Sequence, residues 1–162
     1  MGLAAAFWIM AVVMVGAALA VLFLRNVFHA ALGLILCFIA VAGIYLTLSA
    51  DFLAAVQVLV YVGAISVLII LAIMMTRDVQ KGNPVNRLEI PAAVVAVALL
   101  VILVYVVTST PWNISGAAPL APSTAPLAAR LFSQDGYILP VEIGAVLLLA
   151  AILGAIVITR EK

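Results

Sequence analysis

Five stretches of about 20 apolar residues, each carrying at most one ionised side chain, leave this chain few ways to fold. They run over residues 3–24, 27–49, 52–75, 91–108 and 139–159. A helix rising 1.5 Å per residue needs about 20 residues to cross a hydrocarbon layer ~30 Å thick. In lipid every backbone N–H and C=O must find its partner within the protein, which leaves helices and closed barrels. The runs lack the alternation of a membrane barrel strand. The fold class is therefore all-α integral membrane, with five transmembrane helices in a single domain over residues 1–162. The chain is 69% apolar and 8% charged, against roughly 45–50% and about 25% in soluble domains. There is no internal repeat.

Several functions are excluded on chemical grounds. The net charge of +1 gives no electrostatic footprint for nucleic acid. Cys37 stands alone, so no disulfide, zinc site or iron–sulfur cluster is built from this chain. His29 is alone too, which excludes a haem held by two histidines of this subunit. The first apolar run reads as a span rather than a cleavable signal, because it lacks a basic leading segment and is long enough to cross.

Basic residues predict the orientation. With the N-terminus outside, Arg25, Arg77, Lys81, Arg87, Arg160 and Lys162 all fall on the cytoplasmic side and only Arg130 lies outside. This follows the positive-inside rule and predicts N-out, C-in, in a multi-pass protein of the cytoplasmic (inner) membrane. Asn26 is placed to cap the second helix, and Asp51 to cap the third and favour its positive dipole end. Residues 110–136 form the one long connection, external and proline-rich, with a short interfacial helix expected around Leu127 to Phe132. Trp8 and Trp112 sit at aromatic-belt positions.

Ionisable groups inside lipid cost about 2.5–3.5 kcal/mol each and mark function where they occur. Spans one to four have no Asp, Glu, Lys or Arg in their interiors. Glu142, just after Pro140 in the fifth span, has two readings: a carboxylate in a helix's first turn, or a subunit contact or proton-path group. The third span carries Gln57, Tyr61, Val62, Gly63, Ala64 and Ser66 near mid-membrane. Gln57 and Tyr61, four apart, lie on one helical face, and Gly63-Ala64 weakens the helix and permits close approach. Interhelical glue and a movable, water-gating element both fit this pattern. Gly16 with Ala20, Ala92 with Ala96, and Ala150 with Gly154 are read as packing faces.

Ala50-Asp51-Phe52-Leu53-Ala54-Ala55-Val56-Gln57-Val58-Leu59-Val60-Tyr61-Val62-Gly63-Ala64-Ile65 resembles the signature helix of the NuoJ family, the J subunit of respiratory complex I. The family is similar to NdhG of photosynthetic complexes and to the sixth mitochondrially encoded membrane subunit. Leu139-Pro140-Val141-Glu142-Ile143-Gly144-Ala145 and Asn26 with His29-Ala30-Ala31-Leu32 match in the same order. The resemblance implies a π-bulge near Tyr61–Gly63 whose rearrangement opens and closes a water path, beside a K subunit that supplies the proton-bearing glutamates. It implies a subunit of an NADH (or ferredoxin):quinone oxidoreductase that translocates protons, with no catalytic or redox centre of its own. NAD or ferredoxin, FMN, iron–sulfur clusters and quinone belong to other subunits, and the partners are chiefly the K, A, H and N types. A related subunit of a cation/proton antiporter or membrane hydrogenase, or a structural scaffold of the membrane arm, is the alternative. Some members carry Glu at the position of Gln57, which cannot titrate here. Gly144-Ala145 stands where Ala-Ser is common, and Asn26-Val27-Phe28 where Asn-Pro-Val is.

Overall fold

The computed structural model describes residues 2–76, 89–112, 122–133 and 136–160. Arg77, Lys81, Arg87 and Lys162, on which much of the charge argument rests, lie outside them, as do 113–121 and 134–135 of the long connection. The described residues form α1 (Gly2–Phe23), α2 (Val27–Thr47), α3 (Asp51–Met75), α4 (Glu89–Ser109), α5 (Thr124–Phe132) and α6 (Ile138–Thr159). All but α5 are long and apolar enough to cross a membrane, which makes the chain a multi-pass membrane protein.

α1 and α2 pack as an antiparallel hairpin. The Asn26 side chain accepts from the backbone N–H groups of Phe28 at 3.0 Å and His29 at 3.4 Å, the cap expected from the sequence. The buried apolar set is made of small residues only: Ala17, Ala31, Ala40, Ala42 and Ala54. In lipid, where apolar burial gives helices no net reason to associate, such residues let backbones approach and gain dispersion contacts. Gly33 and Gly43 of α2 make the closest approaches. A Cβ on Gly33 would sit 3.3 Å from Val21 Cγ2, and one on Gly43 would sit 2.8 Å from Met10 Sδ. The small-residue pairs singled out by spacing behave differently: Gly16 and Gly154 have open space around them, with no atom of this chain within 4 Å of an added Cβ. Spacing identifies a face on which a helix can pack. It does not say whether the partner lies in the same chain.

The turn from α2 to α3 closes with two hydrogen bonds, Ala50 N–H to Tyr45 O at 2.9 Å and Ser49 N–H to Leu46 O at 3.1 Å. This Schellman arrangement places Ser49 at φ 58°, the left-handed region that favours glycine. An L-residue there costs roughly 1–2 kcal/mol, partly offset by the chain entropy glycine gives up. Ser49→Gly is expected to stabilise the chain by about 0.5–1 kcal/mol, read as a higher midpoint in detergent unfolding. An unchanged or lower midpoint contradicts this account of the turn.

Two expectations about helix starts need correction. Ala50, not Asp51, is the capping position of α3, and no side chain caps the helix; Asp51 is its first residue and acts on the dipole from within the first turn. α6 begins at Ile138, so Pro140 is its third residue and Glu142 falls in the second turn. Pro140 costs no hydrogen bond, since the first four N–H groups of a helix have no helical partner.

The short helix of the long connection covers Thr124–Phe132 and packs on α6. α4 and α6 have no buried residues in their spans. Helices that are apolar all round and uncovered within the chain have only lipid or other subunits to face.

Candidate functional site

The middle of α3 is not α-helical. From Gln57 to Ile65 it follows a π-helix, with hydrogen bonds reaching back five residues rather than four. The last of these runs from Ser66 N–H to the Tyr61 carbonyl. The Ser66 hydroxyl donates to the same carbonyl at 2.7 Å. Ser66 is only 2% exposed, so its polar atom reaches mid-membrane with a partner carried on its own helix.

The wide turns alter which residues face the bundle. Going down α3, the inward side is marked by Ala54, Gln57, Val62, Ser66, Ile69 and Ile73. Five regular turns take about 18 residues, and the run from Ala54 to Ile73 spends one more. One surplus residue is absorbed between Gln57 and Val62, and both flanks keep one side against α2, Ala54 and Gln57 above and Ser66, Ile69 and Ile73 below. This corrects the expectation that Gln57 and Tyr61 share a face: Gln57 is 7% exposed and Tyr61 42%.

Displaced from the inward row, Tyr61 sits edge-on to Phe38 of α2, with ring centroids 5.5 Å apart and planes at 68°. Such a pair is worth about 0.5–1.5 kcal/mol beyond its area. Phe38 escaped sequence reasoning because nothing distinguishes one phenylalanine in an apolar span from another. The Gln57 amide makes none of the side-chain hydrogen bonds found among the described residues. No side-chain polar atom there is fully enclosed without a partner, so the amide reaches accessible space at the edge of the α2–α3 contact. An added Cβ on Gly63 would meet the Val58 carbonyl at 3.4 Å, ordinary contact. Gly63 therefore contributes its low helix propensity, about 1 kcal/mol below alanine, rather than space for a neighbour. Val62 faces inward and Ala64 outward.

Asp51 and Glu142 are not brought to this site. Asp51 lies at the start of α3, and α6 makes no extended contact with α3 among the described residues. No group of three or more His, Cys, Asp or Glu converges there as metal ligands among the described residues. The arrangement offers no nucleophile and no general base. It offers a helix held in wide turns next to a largely buried glutamine and a phenol.

Residues 17–158 match the family described as NADH-ubiquinone/plastoquinone oxidoreductase chain 6. The chain belongs to this family. The match begins in the second half of α1 and ends one residue before the end of α6, so it takes in the whole of the wide-turned helix. A chain 6 relative, the NAD(P)H-quinone oxidoreductase chain 6 of Leptolyngbya boryana, is 40% identical over 96% of this chain and 79% of its own length. The protein of the same name from a Synechocystis strain is also 40% identical, with the same coverage. The F(420)H(2) dehydrogenase subunit J of Methanosarcina mazei is 34% identical over 98% of this chain and 91% of its own. Chain 6 relatives thus occur in oxidoreductases whose names carry different electron donors.

Proposed function

We propose that this chain 6 protein serves as a membrane-arm subunit of a complex I–type quinone oxidoreductase, in which α3 gates a water path that couples quinone reduction to proton translocation. Membership in the chain 6 family supports the subunit role, and the enzyme is the assembly rather than this chain. The observation behind the gate is the single surplus residue held in wide turns between Gln57 and Ile65. A regular α register and the wide one differ by where that residue goes, which gives a packed element two discrete arrangements. In the α register Tyr61 replaces Val62 on the inward side, and the flank from Ser66 to Met75 turns by about 100° against α2.

The titrating acids come from a neighbouring K-type subunit, with A, H and N types completing the contacts of α4 and α6. The N-terminus lies outside and the C-terminus inside. Nicotinamide or another donor, FMN, iron–sulfur clusters and quinone are held elsewhere in the complex. The mix of donor names among the relatives fits a chain that never meets the donor.

Two substitutions test this reading. Gly63→Leu adds about 1 kcal/mol of helix propensity at the weak point and stiffens the segment against a change of register. Tyr61→Phe keeps the contact with Phe38 and removes the hydroxyl that orders water. Both are expected to lower proton-coupled quinone reduction several-fold in membranes while the complex stays assembled on native gels. Normal turnover and normal proton stoichiometry in both variants would leave the chain a scaffold.

A further inference from the structure

We propose that the groove between the α2–α3 turn and α5 binds an anionic phospholipid, with Arg130 holding its phosphate. The groove encloses about 520 Å³. Phe52 and Leu53 of α3 and Leu127 of α5 supply its apolar wall, and Ser49, Ser123 and Arg130 its polar groups.

Its depth in the membrane follows from connectivity. α2 ends, α3 begins and α6 begins at one face of the membrane, and the groove lies among these ends. Phe52 and Leu53 are the second and third residues of a span, so the apolar wall starts where hydrocarbon does. α5, at nine residues, is about 14 Å long, too short to cross, and lies at the interface. By the same alternation Arg25 and Arg160 sit at the opposite face. Among the described residues Arg130 is the one basic residue on this side.

Its backbone is held in place. The Arg130 carbonyl accepts the Tyr137 N–H at 3.0 Å. A Cβ on Gly136 would collide with that carbonyl, so the turn into α6 closes directly over Arg130. A guanidinium carried on a backbone held in this way, with two hydroxyls in the same groove, matches a phosphodiester, which accepts two parallel N–H bonds. Free phosphate makes no use of Phe52, Leu53 and Leu127, and a neutral lipid makes no use of Arg130. An anionic phospholipid uses both. Asp51, between Ala50 and Phe52, is not itself part of the lining.

The test uses the intact complex and phosphatidylglycerol carrying a photoactivatable group on its acyl chain, with labelling read on the peptide around 122–133. Saturable labelling is expected. Unlabelled phosphatidylglycerol should compete at least about tenfold better than phosphatidylcholine, and excess inorganic phosphate should not compete. Arg130→Gln should lower labelling about tenfold, and Arg130→Lys, which keeps the charge but not the fork, should restore only part of it. Equal competition by phosphatidylcholine, effective competition by inorganic phosphate, or undiminished labelling of Arg130→Gln would each overturn the proposal. The headgroup competition needs only the unaltered complex, so it decides the matter even where Arg130→Gln fails to assemble.

Discussion

Deleting Val60 abolishes most proton-coupled turnover in a complex that still assembles. The expectation rests on counting residues. α3 spends one residue more than five regular turns need between Ala54 and Ile73, and the surplus falls inside Gln57–Ile65. Removing one residue there lets the helix run as regular α throughout. Ala54 and Gln57 above, and Ser66, Ile69 and Ile73 below, keep their places against α2. The flanks that hold the subunit together are untouched, and only the alternative register is lost. To re-form a wide turn, the shortened helix would have to rotate one flank by about 100° and give up its seat on α2. A penalty of even ~1.4 kcal/mol lowers the population of that state about tenfold, and turnover through it falls in proportion. Proton uptake by proteoliposomes, normalised to assembled complex, measures this. Wild-type pumping from the deletion variant would mean that the wide turn is a passive irregularity. Val60→Ala, which keeps the residue count, is expected to pump normally and separates loss of length from loss of a side chain.

The parts of this fold that the sequence discloses are those set by local chemistry. Run lengths place the span boundaries within about two residues, because a bilayer's thickness and a helix's rise leave little freedom. Asn26 announces a cap because its side chain serves N–H groups only two and three residues away. Asp51 and Glu142 show where such reasoning slips. α3 starts one residue beyond its capping Ala50, and α6 begins early enough to push Glu142 into the second turn. Either shift changes what the carboxylate does without changing any pattern visible in the sequence. The wide turn is harder still. Val58, Leu59, Val60 and Val62 suit an α-helix as well as a π-helix, and Gly63 only weakens the segment. The resemblance pointed to this stretch where residue propensities could not. Placing Tyr61 on the Gln57 face failed for the same reason, since periodicity assumes the turn it is used to infer. Small-residue pairs are ambiguous in another way. Gly16 and Gly33 look alike in sequence, and which of them meets another helix depends on how the hairpin pairs.

That difference between Gly16 and Gly33 carries the second large effect. Gly33→Leu is expected to disrupt the α1–α2 hairpin, and Gly16→Leu to leave the isolated chain's stability unchanged. At Gly33 an added Cβ would already press on Val21 Cγ2 at 3.3 Å, with the Ala17 carbonyl oxygen at 3.6 Å behind it. Val21 has a side chain that can turn aside, but the carbonyl belongs to a helix and cannot. Alanine is therefore accommodated at a small cost, whereas leucine must push the two backbones apart. Overpacking of this kind costs typically 1–3 kcal/mol, and here it also reaches α3, because α2 is the helix on which Ala54, Gln57 and Ser66 are seated. A loss of about 2 kcal/mol lowers the folded fraction's equilibrium constant about thirtyfold, read as a lower detergent-unfolding midpoint and as less assembled complex in membranes. Gly43→Ala falls between the two cases, because what stands in its way is the flexible Met10 side chain. At Gly16 nothing of this chain lies within reach. Any loss there must appear as failed assembly with an unaltered unfolding midpoint, which would locate a neighbouring subunit on the outer face of α1. A Gly33→Leu chain that unfolds at the wild-type midpoint would mean that the hairpin's close approach contributes nothing to holding α3 in place.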